Sequence, residues 1–183
     1  MATTTPFTPL TGHCTCKTIT YTLTAPPLVT HCCHCTWCQR ETGSSFALNA
    51  VIERYNFHIT SPTQPTVTPT PSLSGAGQLV ARCPTCHVAI YSHYASGTST
   101  MFVRAGTLDD SCRARVRPDV HIFTGSKVEW VDLAAEKERG VKVYEEYYER
   151  GDVWSAASLE RREKLVAWVE AQKGEGKESG VNG

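Results

Sequence analysis

The sequence lacks any segment that could cross a membrane, and neither sign of charge is in excess. No run of 18 apolar residues occurs, and the N-terminus has no basic leader followed by an apolar core. Lys plus Arg and Asp plus Glu both total 18. A nucleic-acid-binding domain usually carries a basic surface, so we expect no nucleic acid as a partner. We also expect a cytoplasmic protein that does not associate with a membrane.

Cysteine, in contrast, is abundant, with nine among 183 residues. Disulfides are rare in a reducing compartment, and an odd number of cysteines cannot pair completely. Metal ligation therefore explains the cysteines better than a secreted disulfide scaffold does.

The pattern along the chain predicts a mainly β fold with C-terminal helices. Residues 17–24 alternate Ile19, Tyr21 and Leu23 with threonines, which is typical of a half-buried strand. Short runs of β-branched and aromatic residues predict further strands, which together favour an antiparallel core, at 44–52, 55–59, 87–94, 100–106 and 120–125. The four prolines and two glycines of residues 61–77 predict a mobile surface loop. Two helices are predicted, at 133–149 and 155–172.

Composition divides the chain into four segments. The first is a Thr- and Pro-rich flexible arm and the last is a tail with little to bury. The predicted bounds are 1–11 for the arm, 12–132 for a zinc-binding domain, 133–173 for a helical C-terminal extension and 174–183 for a disordered tail.

Two pairs of cysteines have the spacing of a closed zinc site. Cys83 and Cys86 form a Cys-x-x-Cys turn, and Cys14 and Cys16 lie two apart, where an extended backbone points both side chains the same way. Four thiolates satisfy a tetrahedral ion, so we expect a structural site.

A second cluster supplies three thiols: Cys33, Cys35 and Cys38. Its fourth position is either open to water or substrate, as in a catalytic zinc site, or filled by Cys32, His31 or His34. Lone Cys112 is predicted to be a free thiol.

Three other residues are candidates for chemistry near this cluster. His34 lies within it and titrates near neutral pH, so it is a candidate catalytic residue. Arg40 and Arg104 are candidate substrate-binding residues, since a guanidinium pairs with a carboxylate in two parallel hydrogen bonds. Three further residues are expected to contribute mainly to packing: His121 in a strand, and Tyr147 and Tyr148 in a helix.

The order of these motifs resembles the family of glutathione-dependent formaldehyde-activating enzymes, which shares a domain with centromere protein V. The resemblance covers about residues 10–132 and rests on the two cysteine pairs, the Cys33–Cys38 cluster with Arg40 and Gly43, and later blocks at Val103–Asp110 and Val120–Phe123 with Lys127 and Trp130. Relatives often have glycine where this chain has Lys17 and His87, so a residue with a side chain occupies a turn that favours left-handed backbone angles.

The resemblance implies a zinc-pinned antiparallel β-tent fold with two zinc ions per chain. It places Cys14, Cys16, Cys83 and Cys86 on a structural ion, and Cys33, Cys35 and Cys38 on the second. It also implies addition of glutathione to formaldehyde, classed in reverse as a carbon-sulfur lyase, with a small thiol or aldehyde as substrate and glutathione as candidate co-substrate. Two other functions stay open: a non-catalytic zinc-stabilised binding module, and a tailoring enzyme that uses the same zinc on a larger metabolite.

Overall fold

A computed structural model describes residues 6–72, 74–94 and 97–178. Its strands form two sheets. The smaller has the order β1-β2-β5, and its strands are antiparallel: β1 Leu10–His13, β2 Thr20–Leu23 and β5 Phe57–Ile59. The larger has the order β11-β10-β3-β4-β9-β8-β7-β6, with bounds β3 Val29–Cys33, β4 Ala47–Glu53, β6 Thr66–Thr70, β7 Gln78–Arg82, β8 Ala89–Tyr94, β9 Thr100–Arg104, β10 Val120–Ile122 and β11 Lys142–Val143. The mainly β fold with C-terminal helices is therefore confirmed.

The main core lies between the two sheets. Ile19, Tyr21 and Leu23, the apolar residues of the alternating run, are all buried there. They pack in one cluster with residues of the larger sheet such as Ile52 and Val103. Each predicted strand region from 17–24 to 120–125 contains an observed strand, because β-branched and aromatic residues pack well in a sheet.

The prediction of a loop at 61–77 is wrong for Thr66–Thr70, which form strand β6 and pair with β7. Pro69 lies opposite Leu79 in this pairing. The strand tolerates this proline because β6 is the last strand of the sheet and its outer side needs no hydrogen-bond donor.

Sequence analysis missed β3, the strand that carries the second cysteine cluster. All five of its residues, Val29–Cys33, are buried, so it has no polar face to produce an alternating pattern. It pairs antiparallel with β4 and parallel with β10, and both neighbours fix the position of Cys33.

The helices are α1 Thr36–Thr42, α2 Asp110–Arg113, α3 Ala134–Glu138, α4 Arg150–Val153 and α5 Ala156–Glu178. The helix predicted at 133–149 is wrong beyond Glu138. Gly140 has a φ of 82°, and the chain then adds β11 beside β10. The second predicted helix is observed as α5, in which Leu165 is buried.

The ends of the chain differ from the segments predicted from composition. Strand β1 begins at Leu10, inside the predicted arm, whereas residues 1–5 lie outside the described residues. Helix α5 continues to Glu178, inside the predicted tail, and residues 179–183 again lie outside the described ones. No helix among the described residues is long and apolar enough to cross a membrane.

Candidate metal centres

The two cysteine pairs meet at one point, as the spacing predicts. Cys14 and Cys16 lie in the turn between β1 and β2, and Cys83 and Cys86 lie in the turn between β7 and β8. The Sγ atom of Cys16 lies 3.5 Å from that of Cys14 and 3.6 Å from that of Cys83. All four sulfurs lie within 4.8 Å of one another. Tetrahedral zinc with Zn–S bonds of about 2.3 Å separates its sulfurs by roughly 3.8 Å, so these residues fit the ion.

The turns that hold these sulfurs have the same local geometry. Lys17 and His87 have φ values of 60° and 59°, and their N–H groups donate to the carbonyls of Cys14 and Cys83 at 2.9 and 3.0 Å. The N–H of Ile19 points at Cys14 Sγ at 3.3 Å. Glycine would adopt these angles with less strain, so the chain accepts a small conformational cost at both turns.

The second cluster forms where β3 leads into α1. Cys33 ends the strand, Cys35 caps the helix and Cys38 lies in its first turn, where its N–H donates to Cys35 Sγ at 3.3 Å. The three sulfurs lie within 4.8 Å of one another, and all three residues are buried. Hydrogen bonds with Cys33 and Cys38 lower the pKa of the Cys35 thiol, so without metal this thiol ionises first.

The neighbouring donors Cys32 and His34 belong to a different cluster. Successive side chains of an extended chain point to opposite faces, so Cys32 and His34 face away from Cys33 and Cys35. His34 Nε2 lies 2.9 Å from His121 Nδ1 and 3.6 Å from Cys32 Sγ. Among the described residues, no fourth Cys, His, Asp or Glu joins the three thiols in one group of ligand atoms.

His31, another candidate fourth ligand, is bonded elsewhere. Its Nε2 lies 2.6 Å from the hydroxyl oxygen of Tyr148. Burial lowers the pKa of His31 to about 4, so its ring is neutral, and the tautomer sets which of the two atoms donates. The indole N–H of Trp154 donates to the same hydroxyl oxygen at 2.8 Å.

Of the two candidate substrate-binding arginines, Arg104 is buried, and its charge acts on the thiol of Cys38. It is 6% exposed and donates from Nη1 to Asn49 Oδ1, while its Nε and Nη2 atoms lack a hydrogen-bond partner within the described part of the chain. The hydrogen bond with Cys33 lowers the pKa of Cys38, but the hydrogen bond with Cys35 and burial outweigh it and raise the pKa to about 11. The charge of Arg104 opposes this rise. Arg40 is exposed on α1.

A cavity of about 400 Å³ opens directly on the three thiols. Besides Cys33, Cys35 and Cys38, its walls combine aromatic side chains with a polar side formed by Asn49, Ser72, Ser74 and Gln78. Tyr147 and Arg150 close one side, and both also line an adjoining cavity of about 310 Å³ that reaches α5. Sequence reasoning missed Arg150 and assigned Tyr147 to packing, because no spacing pattern relates them to cysteines more than 100 positions earlier.

Fold and site together define a β-sheet protein with two cysteine clusters whose geometry suits metal ions, one of four thiols and one of three buried thiols at a cavity. Residues 9–126 match the model of the glutathione-dependent formaldehyde-activating enzyme family. The chain therefore belongs to this family.

The other comparisons are less informative. A crystal structure of a Rhodobacter sphaeroides protein is similar to the chain with a TM-score of 0.41 and 14% identity, over 73% of this chain and 98% of that one. None of the curated proteins compared with the chain is similar enough to count as a match.

Proposed function

We propose that the protein is a zinc-dependent carbon-sulfur lyase of the glutathione-dependent formaldehyde-activating type, acting on a glutathione adduct or a related small thiol or aldehyde. The observation that carries this proposal is the position of Cys33, Cys35 and Cys38, whose thiols share one wall of a cavity. Three ligands with a fourth position facing a cavity is the arrangement of catalytic zinc sites. The family match supports the type of reaction.

The two clusters have separate roles in this proposal. Cys14, Cys16, Cys83 and Cys86 hold a structural ion that joins the β1–β2 turn to the β7–β8 turn. Cys33, Cys35 and Cys38 hold the second ion, which when bound favours the thiolate form of a substrate thiol or polarises a carbonyl.

The residues around the second cluster balance its charge and enclose the space for the reactants. Three thiolates around a divalent ion carry one net negative charge, and buried Arg104 offsets it. The cavity walls would hold the two reactants together. When the thiol adds to the aldehyde, a carbon-sulfur bond forms, the carbonyl π bond opens, and the thiol proton ends on the carbonyl oxygen.

The predicted catalytic role of His34 stays a prediction. Its imidazole is paired with His121 and is not among the residues that line the cavity. We assign it a positioning role, since its backbone carbonyl accepts hydrogen bonds from Gln39 and Ser126 beside the cysteine cluster.

Metal content and turnover measured on the same variants test the proposal. We expect two zinc ions per chain by mass spectrometry, and faster exchange between glutathione and S-hydroxymethylglutathione by NMR than in the uncatalysed mixture. Cys35→Ser should retain one ion and lose the rate enhancement. Cys112→Ser, a buried cysteine outside both clusters, is the matched control and should behave as the wild type.

Either of two results would overturn this function. One is a single inert ion per chain in the wild type. The other is partner binding that survives Cys35→Ser, with no turnover in any variant, which would indicate a non-catalytic zinc-stabilised module.

A further inference from the structure

The part of the chain that closes the cavity lies outside the family-matched region. That region ends at residue 126, whereas Tyr147 and Arg150 lie beyond it and line the cavity beside the three thiols. The adjoining cavity is lined by more residues from the same part of the chain, among them Trp154 and Leu165. The C-terminal extension therefore contributes walls that the matched domain does not supply.

Specific hydrogen bonds fix this extension against the thiol-bearing strand. The N–H of Tyr144 donates to His121 O and the N–H of Phe123 donates to Glu146 O, both at 2.9 Å. The Tyr148 hydroxyl links His31 on β3 to Trp154, at 2.6 and 2.8 Å. Tyr147 stacks on Tyr148, with ring centroids 4.8 Å apart and an interplanar angle of 15°. The wall formed by Tyr147 is thus in place before any ligand binds.

Aromatic rings form a large part of the wall next to the thiols, and Asn49, Ser72, Ser74 and Gln78 form a polar side. The cavity is lined by Trp37, Tyr94, Phe102, Phe123 and Tyr147. The centroids of Tyr94 and Phe102 lie 4.7 Å apart at 72°, and those of Phe123 and Tyr147 lie 6.0 Å apart at 44°. Rings in these orientations present both faces and edges, which is the environment that a planar aromatic ligand prefers.

Apart from the cysteine thiols, one arginine is the charged residue on the cavity wall, among the described residues. Arg150 is the single Lys, Arg, Asp or Glu among the residues that line the cavity at the thiols, counted over the described part of the chain. No carboxylate within the described ranges lies within 4 Å of its guanidinium, which instead lies 5.9 Å from the centroid of the Trp154 ring. A glutathionyl group carries two carboxylates and one ammonium, and this wall offers a charged partner to one carboxylate only. Burying the other charges without a partner would cost free energy.

We propose that this cavity takes an aromatic substrate with one carboxylate, namely an aryl aldehyde or its thiol adduct, and that Tyr147 and Arg150 determine this specificity. The proposal rests on the proposed function and narrows its substrate class. The ring stacks among the aromatic walls, the carboxylate pairs with Arg150, and the carbonyl carbon faces the thiol cluster. The bonds that form and break are those of the thiol addition described above, so no oxidant or reductant is required.

Calorimetric titration of the zinc-loaded full chain with three unreactive alcohols tests the proposal without relying on turnover. The probe 4-(hydroxymethyl)benzoate carries the ring and the carboxylate, benzyl alcohol lacks the carboxylate, and glycolate lacks the ring. We expect the first to bind about tenfold more tightly than either of the others, as a charge-assisted hydrogen-bonded pair and a stacked ring each contribute affinity.

Variants at the two specificity residues separate these contributions. Arg150→Gln should bring 4-(hydroxymethyl)benzoate down to the affinity of benzyl alcohol and leave benzyl alcohol unchanged. Tyr147→Ala should weaken both ring compounds, and Tyr147→Phe should restore them, which a general loss of folding would not allow. Arg113→Gln, an exposed arginine of α2 that lines neither cavity, is the matched control and should have no effect.

Two results would overturn this inference: glycolate binding as tightly as 4-(hydroxymethyl)benzoate, or Arg150→Gln leaving the affinities unchanged. If zinc content and formaldehyde turnover hold while the ring adds no affinity, the substrate assignment alone fails. If the ring compounds bind as expected but no variant shows turnover, the assignment of this cavity to aromatic acids stands and the lyase activity fails.

Discussion

The ion pair between Glu53 and Arg161 should be the strongest single attachment of α5 to the sheet. Glu53 ends β4 with no exposed surface, and Arg161 meets it with two hydrogen bonds, Nε to Oε1 at 2.9 Å and Nη2 to Oε2 at 2.6 Å. Asn56 donates a third bond to Oε2 at 3.1 Å. Removing Arg161 would leave a buried carboxylate with only this amide as a partner.

We expect Arg161→Met to lower the free energy of unfolding by about 3 kcal/mol, the lower end of the cost of breaking a buried pair, because Arg161 is partly exposed and Asn56 remains. For a chain of this size that corresponds to a fall in Tm of roughly 6–12 °C. Adding Glu53→Gln should recover most of the loss, since the buried group is then neutral. Thermal unfolding of the zinc-loaded protein, followed by circular dichroism, measures both variants.

An exposed pair on the same helix provides the control. Lys164 and Glu160 lie 2.7 Å apart but are mostly exposed, so Lys164→Met should not change Tm measurably. The reasoning would be refuted if Arg161→Met lowered the free energy of unfolding by less than about 1 kcal/mol, or if the double variant were no more stable than the single one.

The remaining predictions concern the two cysteine clusters and the buried histidine His31. Arg104→Met should raise the pKa of the Cys38 thiol, because a nearby positive charge is lost, and thiol alkylation of the metal-free protein as a function of pH measures this. Cys83→Ser should remove one zinc ion, as measured by mass spectrometry. The variant should also lose its cooperative unfolding transition, because a four-thiolate zinc typically contributes about 10 kcal/mol or more to folding. Burial lowers the pKa of His31 from 6.5 to about 4, so the unfolded chain takes up a proton first. His31 should therefore contribute a fall in stability of about 3 kcal/mol as pH drops from 6.5 towards 4, beside the contributions of His34, His93 and His121, whose pKa values burial also lowers. His31→Gln should reduce the slope by that share in urea unfolding measured at several pH values.

The cysteine spacing predicted which thiols would meet. Cys14 with Cys16 and Cys83 with Cys86 come together from turns almost 70 residues apart, and Cys33, Cys35 and Cys38 meet within six residues. Spacing sufficed within each pair and within the three-thiol set, because a local turn aims those sulfurs the same way; the need for four thiolates around one ion predicted that the two pairs meet. Spacing did not decide among the candidates for a fourth ligand, because Cys32 and His34 are as close in sequence to the cluster as its own cysteines are to one another. They are excluded because their side chains point to the opposite face of the extended chain.

The sequence by itself determined the strands rich in β-branched and aromatic residues, the local geometry of each cysteine pair and the helix α5, because each follows from a local period, composition or spacing. Only the tertiary structure decided that β3 is a central strand, that His34 pairs with His121, and that Tyr147 and Arg150 close the cavity at the thiols. The physical reason is that a fully buried strand has no alternation to read, and that contacts across more than 80 residues depend on sheet pairing, which leaves no trace in any short stretch of sequence.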